Sequence, residues 1–196
     1  MKIDKNILIM SQFPKRVITH FDETFNTFKL YEHLKKEKYL TDISEKIDGI
    51  AVMGPTVVSA DIINSLPKLK IIGNFGVGFD AIDIKKATDE NIRVTNTPNV
   101  LNDEVADTAV ALTLSVYRKI IDANQFLLNK SWLKSEFPLS RKFSGTKFGI
   151  LGMGRIGKAI AQRIQAFNCD VSYHSRNKKD VSYKYFSKLE DLAEHV

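Results

Sequence analysis

Short apolar runs alternate with segments of helical periodicity along the first half of this chain, and this alternation restricts the fold more than any other feature. Five runs are predicted strands: "NILIM", "FKLY", "GIAVM", "LKIIGNF" and "RVTNT". The segments between them, such as "ISEKI", "SADIINSL" and "IDIKKATDEN", carry apolar residues three or four positions apart. Ser59 is a predicted N-cap for the helix that ends before Pro67. Strands that alternate with helices indicate a parallel sheet with helical crossovers, so residues 1–98 are predicted to form a doubly wound α/β domain.

Composition excludes several classes of protein. A hydrophobic fraction of 43% with 27% charged residues describes a globular chain, and no apolar run is long enough for a membrane span. The net charge is +6 but the lysines are scattered, which is not the pattern of a nucleic-acid interface. Cys169 is the single cysteine, which excludes an intramolecular disulfide and a thiolate metal cluster. The N-terminus lacks the features of a signal peptide, which favours a cytoplasmic location.

The longest helical pattern, "NDEVADTAVALTLSVYRKIIDANQFLLN", begins at Asn102. Asn102 is a predicted cap, and acidic residues occupy the first turn, where the helix dipole favours them. Alanine and leucine occur on several faces, so we expect this helix to be buried between domains or between subunits. The predicted organisation is a domain at 1–98, a long interdomain or dimerisation helix at 99–128, and a second α/β domain at 129–196.

A glycine-rich turn opens the second series of strands and helices. Gly152, Gly154 and Gly157 form a G-x-G-x-x-G motif directly after the predicted strand "FGIL". A predicted helix begins within the motif, with Arg155 and Ile156 as its first two residues. This context is the one that dinucleotide binding requires, because the glycines allow the turn, the approach of the pyrophosphate and close packing of helix on strand. The N–H groups at the helix start would hold the phosphates. The alternative is a glycine-rich turn that binds nothing.

The end of the next predicted strand, "CDVSYH", indicates which dinucleotide is bound. An NAD site usually places Asp or Glu here on the ribose 2′-hydroxyl, whereas this chain has Ser175 and Arg176. Arg176 can pair with a 2′-phosphate and Ser175 can donate a hydrogen bond to it, with Lys178 or Lys179 as further charge. We therefore expect NADPH to be preferred over NADH. The alternative is a basic surface turn without a ligand.

The order of these motifs supports a named resemblance. The stretch "KLKIIGNFGVGFDAIDIKKATDENIRVTNTPNVLNDEVADTAVAL", followed by "GILGMGRIGKAIAQR", resembles the D-isomer-specific 2-hydroxyacid dehydrogenases over nearly the whole chain. With "SYHSRNKK" included, the chain is most similar to the glyoxylate/hydroxypyruvate reductase branch. The resemblance implies a flavodoxin-like N-terminal domain, followed by the first part of a Rossmann domain. It also implies a reductase that passes hydride from a nicotinamide cofactor to a short 2-oxo acid held between two domains.

The resemblance also implies roles for individual residues. It places the substrate carboxylate on the backbone N–H groups of Val77 and Gly78, where convergent amides can bind an anion. It makes Met53 and Gly54 a second wall of the substrate pocket, and it places Thr108 near the cofactor. For both loops the alternative is simple turn chemistry. For Thr108 the alternative is a helix hydroxyl bonded to its own backbone.

This sequence departs from the family pattern at the catalytic residues. The family's substrate-clamping arginine and its proton-donating histidine with a paired glutamate have no counterpart in these 196 residues. We therefore expect this chain to be an N-terminal fragment of a longer reductase, with those catalytic residues beyond Val196. We expect the fragment to be inactive alone and the complete protein to form a homodimer. No metal site is expected. The alternative is a non-catalytic dinucleotide-binding or regulatory module of the same fold family.

Overall fold

The computed structural model describes residues 2–196, and its internal contacts divide the chain between Pro98 and Asn99 into a first unit and a second unit. The first unit contains, in chain order, β1 (Asn6–Ile9), α1 (Lys15–Thr24), β2 (Asn26–Lys29), α2 (Lys36–Ile43), β3 (Gly49–Met53), α3 (Ala60–Asn64), β4 (Ile71–Phe75), α4 (Ile84–Asp89) and β5 (Arg93–Thr95). Its five strands are all parallel, in the order β2-β1-β3-β4-β5. This order is that of flavodoxin-like doubly wound sheets, which confirms the predicted fold class.

The side-chain alternation of the strands creates the core of the first unit. Leu8, Ile50 and Ile72 lie in register on neighbouring strands and are buried on one face of the sheet, in a core that includes residues of α2, α3 and α4. Ile9 and Ala51 belong to a smaller core on α1, as expected when successive side chains point to opposite faces. All parallel strands of this sheet end at one edge, where the loops that follow them gather.

The second unit has the same local plan with fewer strands. It contains, in chain order, α5 (Asn102–Tyr117), α6 (Ile120–Leu128), β6 (Lys147–Leu151), α7 (Arg155–Gln165), β7 (Asp170–His174), β8 (Lys184–Phe186) and α8 (Leu189–His195). The strands are parallel in the order β6-β7-β8. The main core contains Val110 of α5, Ile164 of α7 and Tyr173 of β7. Arg163 binds Asp103 and Asp107, which ties α7 to α5.

The prediction of one continuous helix across residues 99–128 is wrong. The chain leaves the helix at Lys119, which adopts left-handed backbone angles (φ 51°, ψ 42°), and α6 begins at the next residue. Glycine usually occupies such a position, so a lysine there gives no sequence signal. The predicted Asn102 cap is also wrong, because Asn102 is the first helical residue and Leu101 precedes it without a side-chain cap. Within this chain, α6 has no buried residue, so burial against another subunit stays a prediction.

The ends of several other helices and strands differ slightly from the predicted ones. Ser59 caps α3 as predicted, since its hydroxyl accepts the Ile62 N–H at 3.4 Å. The strand predicted at "FKLY" begins earlier, at Asn26, and Leu30–Glu32 form a 3₁₀ turn. At the predicted helix "ISEKI", α2 begins earlier and ends at Ile43, and Ser44–Lys46 form a 3₁₀ helix. Among residues 2–196, no helix combines the length and apolar character needed to cross a membrane.

Candidate functional site

The glycine motif forms the floor of a cleft in the second unit. Gly152 follows β6 and donates its N–H to the His174 carbonyl at 2.8 Å, which holds the turn against the end of β7. Its φ of +99° lies in the region that favours glycine. α7 begins three residues later, at Arg155. The turn therefore brings the end of β6, the start of α7 and the end of β7 together.

Gly157 is required by packing. A β-carbon at this position would lie 2.1 Å from the Gly152 carbonyl oxygen, which only a glycine avoids. Gly154 differs, because a β-carbon there would meet no atom within 4 Å. The motif thus has one glycine for the turn, one for helix packing and one that faces open space. These are the separate requirements of a dinucleotide-binding turn.

The start of α7 offers free backbone donors next to this open space. The first N–H groups of a helix have no partner within it, and Arg155, Ile156 and Gly157 are the first three residues of α7. The partial positive charge of the helix terminus adds to these donors. No acidic residue lies in the first turn of α7. This end of the helix is suited to an anion.

The cleft has a volume of about 430 Å³ and brings four of the eight predicted cofactor residues together, while Arg155, Ile156, Gly157 and Thr108 are outside its lining. Its lining consists of Leu151, Gly152, Met153, Gly154, His174, Ser175, Arg176, Asn177 and Lys179. The lining contains two cations and no carboxylate, and among the described residues neither Arg176 nor Lys179 forms an ion pair. A polyanion entering the cleft would meet uncompensated positive charge.

Two predicted cofactor residues have internal partners. Ser175 is buried, and its hydroxyl donates to the Asn177 carbonyl at 2.7 Å, so its hydrogen is already used within the loop. The Thr108 hydroxyl donates to the Glu104 carbonyl of its own helix at 2.8 Å, as the alternative for this residue predicts. Thr108 is also absent from the lining of the cleft.

The predicted substrate loop follows β4 in the first unit. Asn74 donates to the Gly78 carbonyl at 2.7 Å, Asn96 donates to the Val77 carbonyl at 2.8 Å, and the Thr97 N–H donates to the Gly76 carbonyl at 2.9 Å. The hydrogen bonds of residues 2–196 include none donated by the N–H of Val77 or Gly78. The loop therefore has its carbonyls fixed and its amides free, as an anion site needs.

The glycines of that loop are not required by its shape. Neither Gly76 nor Gly78 has a positive φ, and a β-carbon at either position would make ordinary contacts of 3.5 Å. Sequence reasoning also missed the anchors Asn74 and Asn96. Each is the last residue but one of a predicted strand, and this position is the signal that could have identified them.

Met53 ends β3 beside this loop, since it pairs with Phe75 of β4, and Gly54 follows in the next turn. Ser11 holds the two ends of this turn, because its buried hydroxyl accepts the Met53 N–H at 2.8 Å and lies 2.8 Å from the Thr56 hydroxyl. Gly54 has a φ of +65°, so turn geometry alone accounts for the glycine. The Met53 amide, unlike that of Val77, is not free for a ligand.

Comparison with known proteins assigns the family. The family model described as "D-isomer specific 2-hydroxyacid dehydrogenase, catalytic domain" matches residues 7–170. A hydroxyphenylpyruvate reductase of Plectranthus scutellarioides is 37% identical over 188 residues, which cover 95% of this chain and 60% of that protein. A glyoxylate/hydroxypyruvate reductase of Arabidopsis thaliana is 37% identical over 190 residues, which cover 96% of this chain and 61% of that protein.

A solved structure supports the same assignment. The NADPH-dependent glyoxylate/hydroxypyruvate reductase of Sinorhizobium meliloti, in complex with NADP and malonate, superposes with a TM-score of 0.85 at 34% identity. The match covers 99% of this chain and 60% of that one. The chain thus spans about 60% of the length of these relatives. It belongs to the D-isomer specific 2-hydroxyacid dehydrogenase family.

Proposed function

We propose that this chain provides the cofactor site and the substrate-carboxylate site of an NADP-dependent reductase that converts glyoxylate or hydroxypyruvate to the 2-hydroxy acid. The observation that carries the proposal is the cleft of the second unit, which joins the glycine turn to Arg176 and Lys179 and has no carboxylate in its lining. An acidic residue there would repel a 2′-phosphate, whereas Arg176 can pair with it. Because the relatives are longer than this chain, the activity is proposed for the whole protein.

The pyrophosphate and the 2′-phosphate of the cofactor each have partners in the second unit under this proposal. The N–H groups of Arg155 and Ile156 bind the pyrophosphate, and Gly154 leaves the space through which it approaches. Arg176 binds the 2′-phosphate and Lys179 adds charge beside it. When bound, the nicotinamide supplies the hydride.

The first unit binds the carboxylate of the 2-oxo acid. The free amides of Val77 and Gly78 are the donors, and the anchors Asn74 and Asn96 hold them in place. This arrangement requires no charged side chain, so it accepts any short 2-oxo acid with a free carboxylate. The malonate complex of the Sinorhizobium meliloti reductase supports a site for a small carboxylate in this family.

The reaction needs one hydride and one proton: the carbonyl carbon accepts the hydride, the carbonyl oxygen accepts the proton, and NADPH becomes NADP⁺. None of His20, His33, His174 and His195 forms a hydrogen bond or ion pair with a carboxylate among residues 2–196. We therefore expect this polypeptide to bind without turnover, because a positioned general acid contributes about 10²- to 10⁴-fold in rate. Measurable oxidation of NADPH by residues 1–196 with glyoxylate would contradict this.

Calorimetric titration of the chain with NADPH and NADH tests the cofactor assignment. A charge-assisted contact of about 2 kcal/mol corresponds to a preference of about thirtyfold for NADPH. Arg176→Ala should abolish the preference and leave NADH binding unchanged. Lys178→Ala is the matched control, because it removes the same charge from the same loop at a residue outside the lining of the cleft. Equal affinities in the parent chain, or equal effects of the two variants, would refute the assignment.

The exposed apolar residues of α5 and α6 support a second copy of this chain as a partner. These residues are Leu112, Val116, Ile120, Ile121, Leu127 and Leu128. Exposed apolar side chains concentrated on two consecutive helices are typical of subunit interfaces. Light scattering should give a dimer, and Ile121→Asp should give a monomer with the same circular dichroism spectrum. A monomeric parent chain would contradict the proposed interface.

A further inference from the structure

The loop that carries Arg176 is held by a buried residue that lies outside the lining of the cleft. Tyr173 lies in β7 with its side chain fully buried. Its hydroxyl accepts the N–H of Lys179 at 2.8 Å and lies 3.2 Å from the Lys179 carbonyl oxygen. A strand residue therefore fixes the chain at a position six residues later, after the loop has turned back.

Two further contacts complete the support of this loop. The Ser175 hydroxyl donates to the Asn177 carbonyl at 2.7 Å, which closes the first half of the loop. Tyr185, which packs against Tyr173 with ring centroids 5.3 Å apart, donates to the Ser175 carbonyl at 3.3 Å. The backbone of residues 175–179 is thus fixed at both ends and in the middle by neutral hydroxyl groups.

These neutral contacts hold a loop that carries three positive charges. Arg176, Lys178 and Lys179 are all exposed, and among residues 2–196 none of them forms an ion pair. Like charges so close in sequence repel each other, so a free loop would spread them apart. A loop held by neutral groups keeps its positive charge available to a ligand and has less conformational entropy to lose on binding.

We propose that Tyr173 is a positioning residue for the selection of NADP, because its hydroxyl presets the loop that receives the 2′-phosphate. The proposal rests on the proposed function, since it assumes that this cleft binds NADP. Tyr173 does not line the cleft, so its effect on selectivity is transmitted through the backbone of Lys179. Ser175, whose hydrogen is directed at Asn177, acts in the same way.

The variant Tyr173→Phe tests the proposal, because it keeps the ring and removes only the hydroxyl. The Lys179 carbonyl retains the Val181 N–H at 3.0 Å, so the main loss is the partner of the Lys179 N–H. Loss of one net hydrogen bond should lower the affinity for adenosine 2′,5′-bisphosphate by about two- to twelvefold. Affinity for 5′-AMP, which has no 2′-phosphate, should change less than about twofold.

A matched control separates loss of the hydroxyl from general damage. Tyr183→Phe removes a hydroxyl that donates to the Gln165 side chain at 2.9 Å, away from the loop, and both ligands should bind it as they bind the parent chain. Equal losses for both ligands in Tyr173→Phe, or no loss for either, would overturn the role of Tyr173. A parent chain that binds both ligands equally would instead refute the NADP assignment.

A second measurement needs no variant. If the loop is preset, the Lys179 amide exchanges slowly with solvent in the free protein and is little changed by adenosine 2′,5′-bisphosphate. Fast exchange in the free chain that becomes slow on binding would show that the ligand orders the loop, and would overturn the proposal. This exchange measurement tests the proposal even if Tyr173→Phe fails to fold.

Discussion

The tightest packing within the glycine motif gives the sharpest stability prediction, which concerns Gly157→Ala. The added β-carbon would lie 2.1 Å from the Gly152 carbonyl oxygen, about 1.2 Å short of an ordinary carbon–oxygen contact of about 3.3 Å. The obstacle is backbone, so either α7 or the glycine turn must move.

The magnitude follows from two opposing effects. Insertion of one methyl group into a packed site costs about 1–3 kcal/mol, and the backbone obstacle places this case at the upper end. Replacement of glycine by alanine in a helix returns about 0.5–1 kcal/mol. We therefore expect the free energy of unfolding of the second unit to fall by about 2 kcal/mol, which lowers the urea midpoint by about 1–2 M.

Gly154→Ala is the matched variant, because its β-carbon would meet no atom within 4 Å and its φ of −85° suits alanine. It should leave the midpoint within about 0.5 M of the parent value but weaken NADP binding. The fluorescence of Trp132, the only tryptophan, reports unfolding of the second unit. An unchanged midpoint for Gly157→Ala, or equal losses for both variants, would refute the assigned roles of these glycines.

Two predictions concern the first unit. Ser11→Ala removes the partner of the partly buried Met53 N–H and should lower the free energy of unfolding by about 1–3 kcal/mol, measured by urea titration; no loss would show that water replaces the hydroxyl. Hydrogen bonds from Lys29 and then Thr27 hold the pKa of the Asp22 carboxyl below its ordinary value of 3.8. This carboxylate therefore stabilises the fold above pH 3.8, and the stabilisation is lost as the pH falls through the lower folded pKa. Asp22→Asn should be less stable than the parent at neutral pH, with a difference that shrinks as the pH falls below 3.8; a constant difference would contradict the pairing.

The parts of the fold that follow local rules could be predicted from the sequence. β6 and β7 match the predicted strands within one residue, because apolar runs bounded by a glycine turn and a basic turn define them. The roles of Gly152 and Gly157 follow from the motif, since its spacing already specifies a turn and a helix packed on a strand.

Elements that depend on distant partners could not be predicted. β8 has only three residues and exists through its pairing with β7. α1 is absent from the predicted elements, and Pro14 before it provides no side-chain cap. The contact of Tyr173 with Lys179 depends on the path of the loop between them. For the same reason, sequence reasoning assigned the Ser175 hydroxyl to the phosphate, whereas it is directed at Asn177.

The most direct test of the central claim is a crystal structure of this chain with NADP. We expect the 2′-phosphate within hydrogen-bond distance of the Arg176 guanidinium, and the pyrophosphate on the N–H groups of Arg155 and Ile156 beside Gly154. We also expect the loop of residues 175–179 to keep the hydrogen bonds it has here. A 2′-phosphate in solvent away from Arg176, or a dinucleotide bound outside the cleft, would contradict the account.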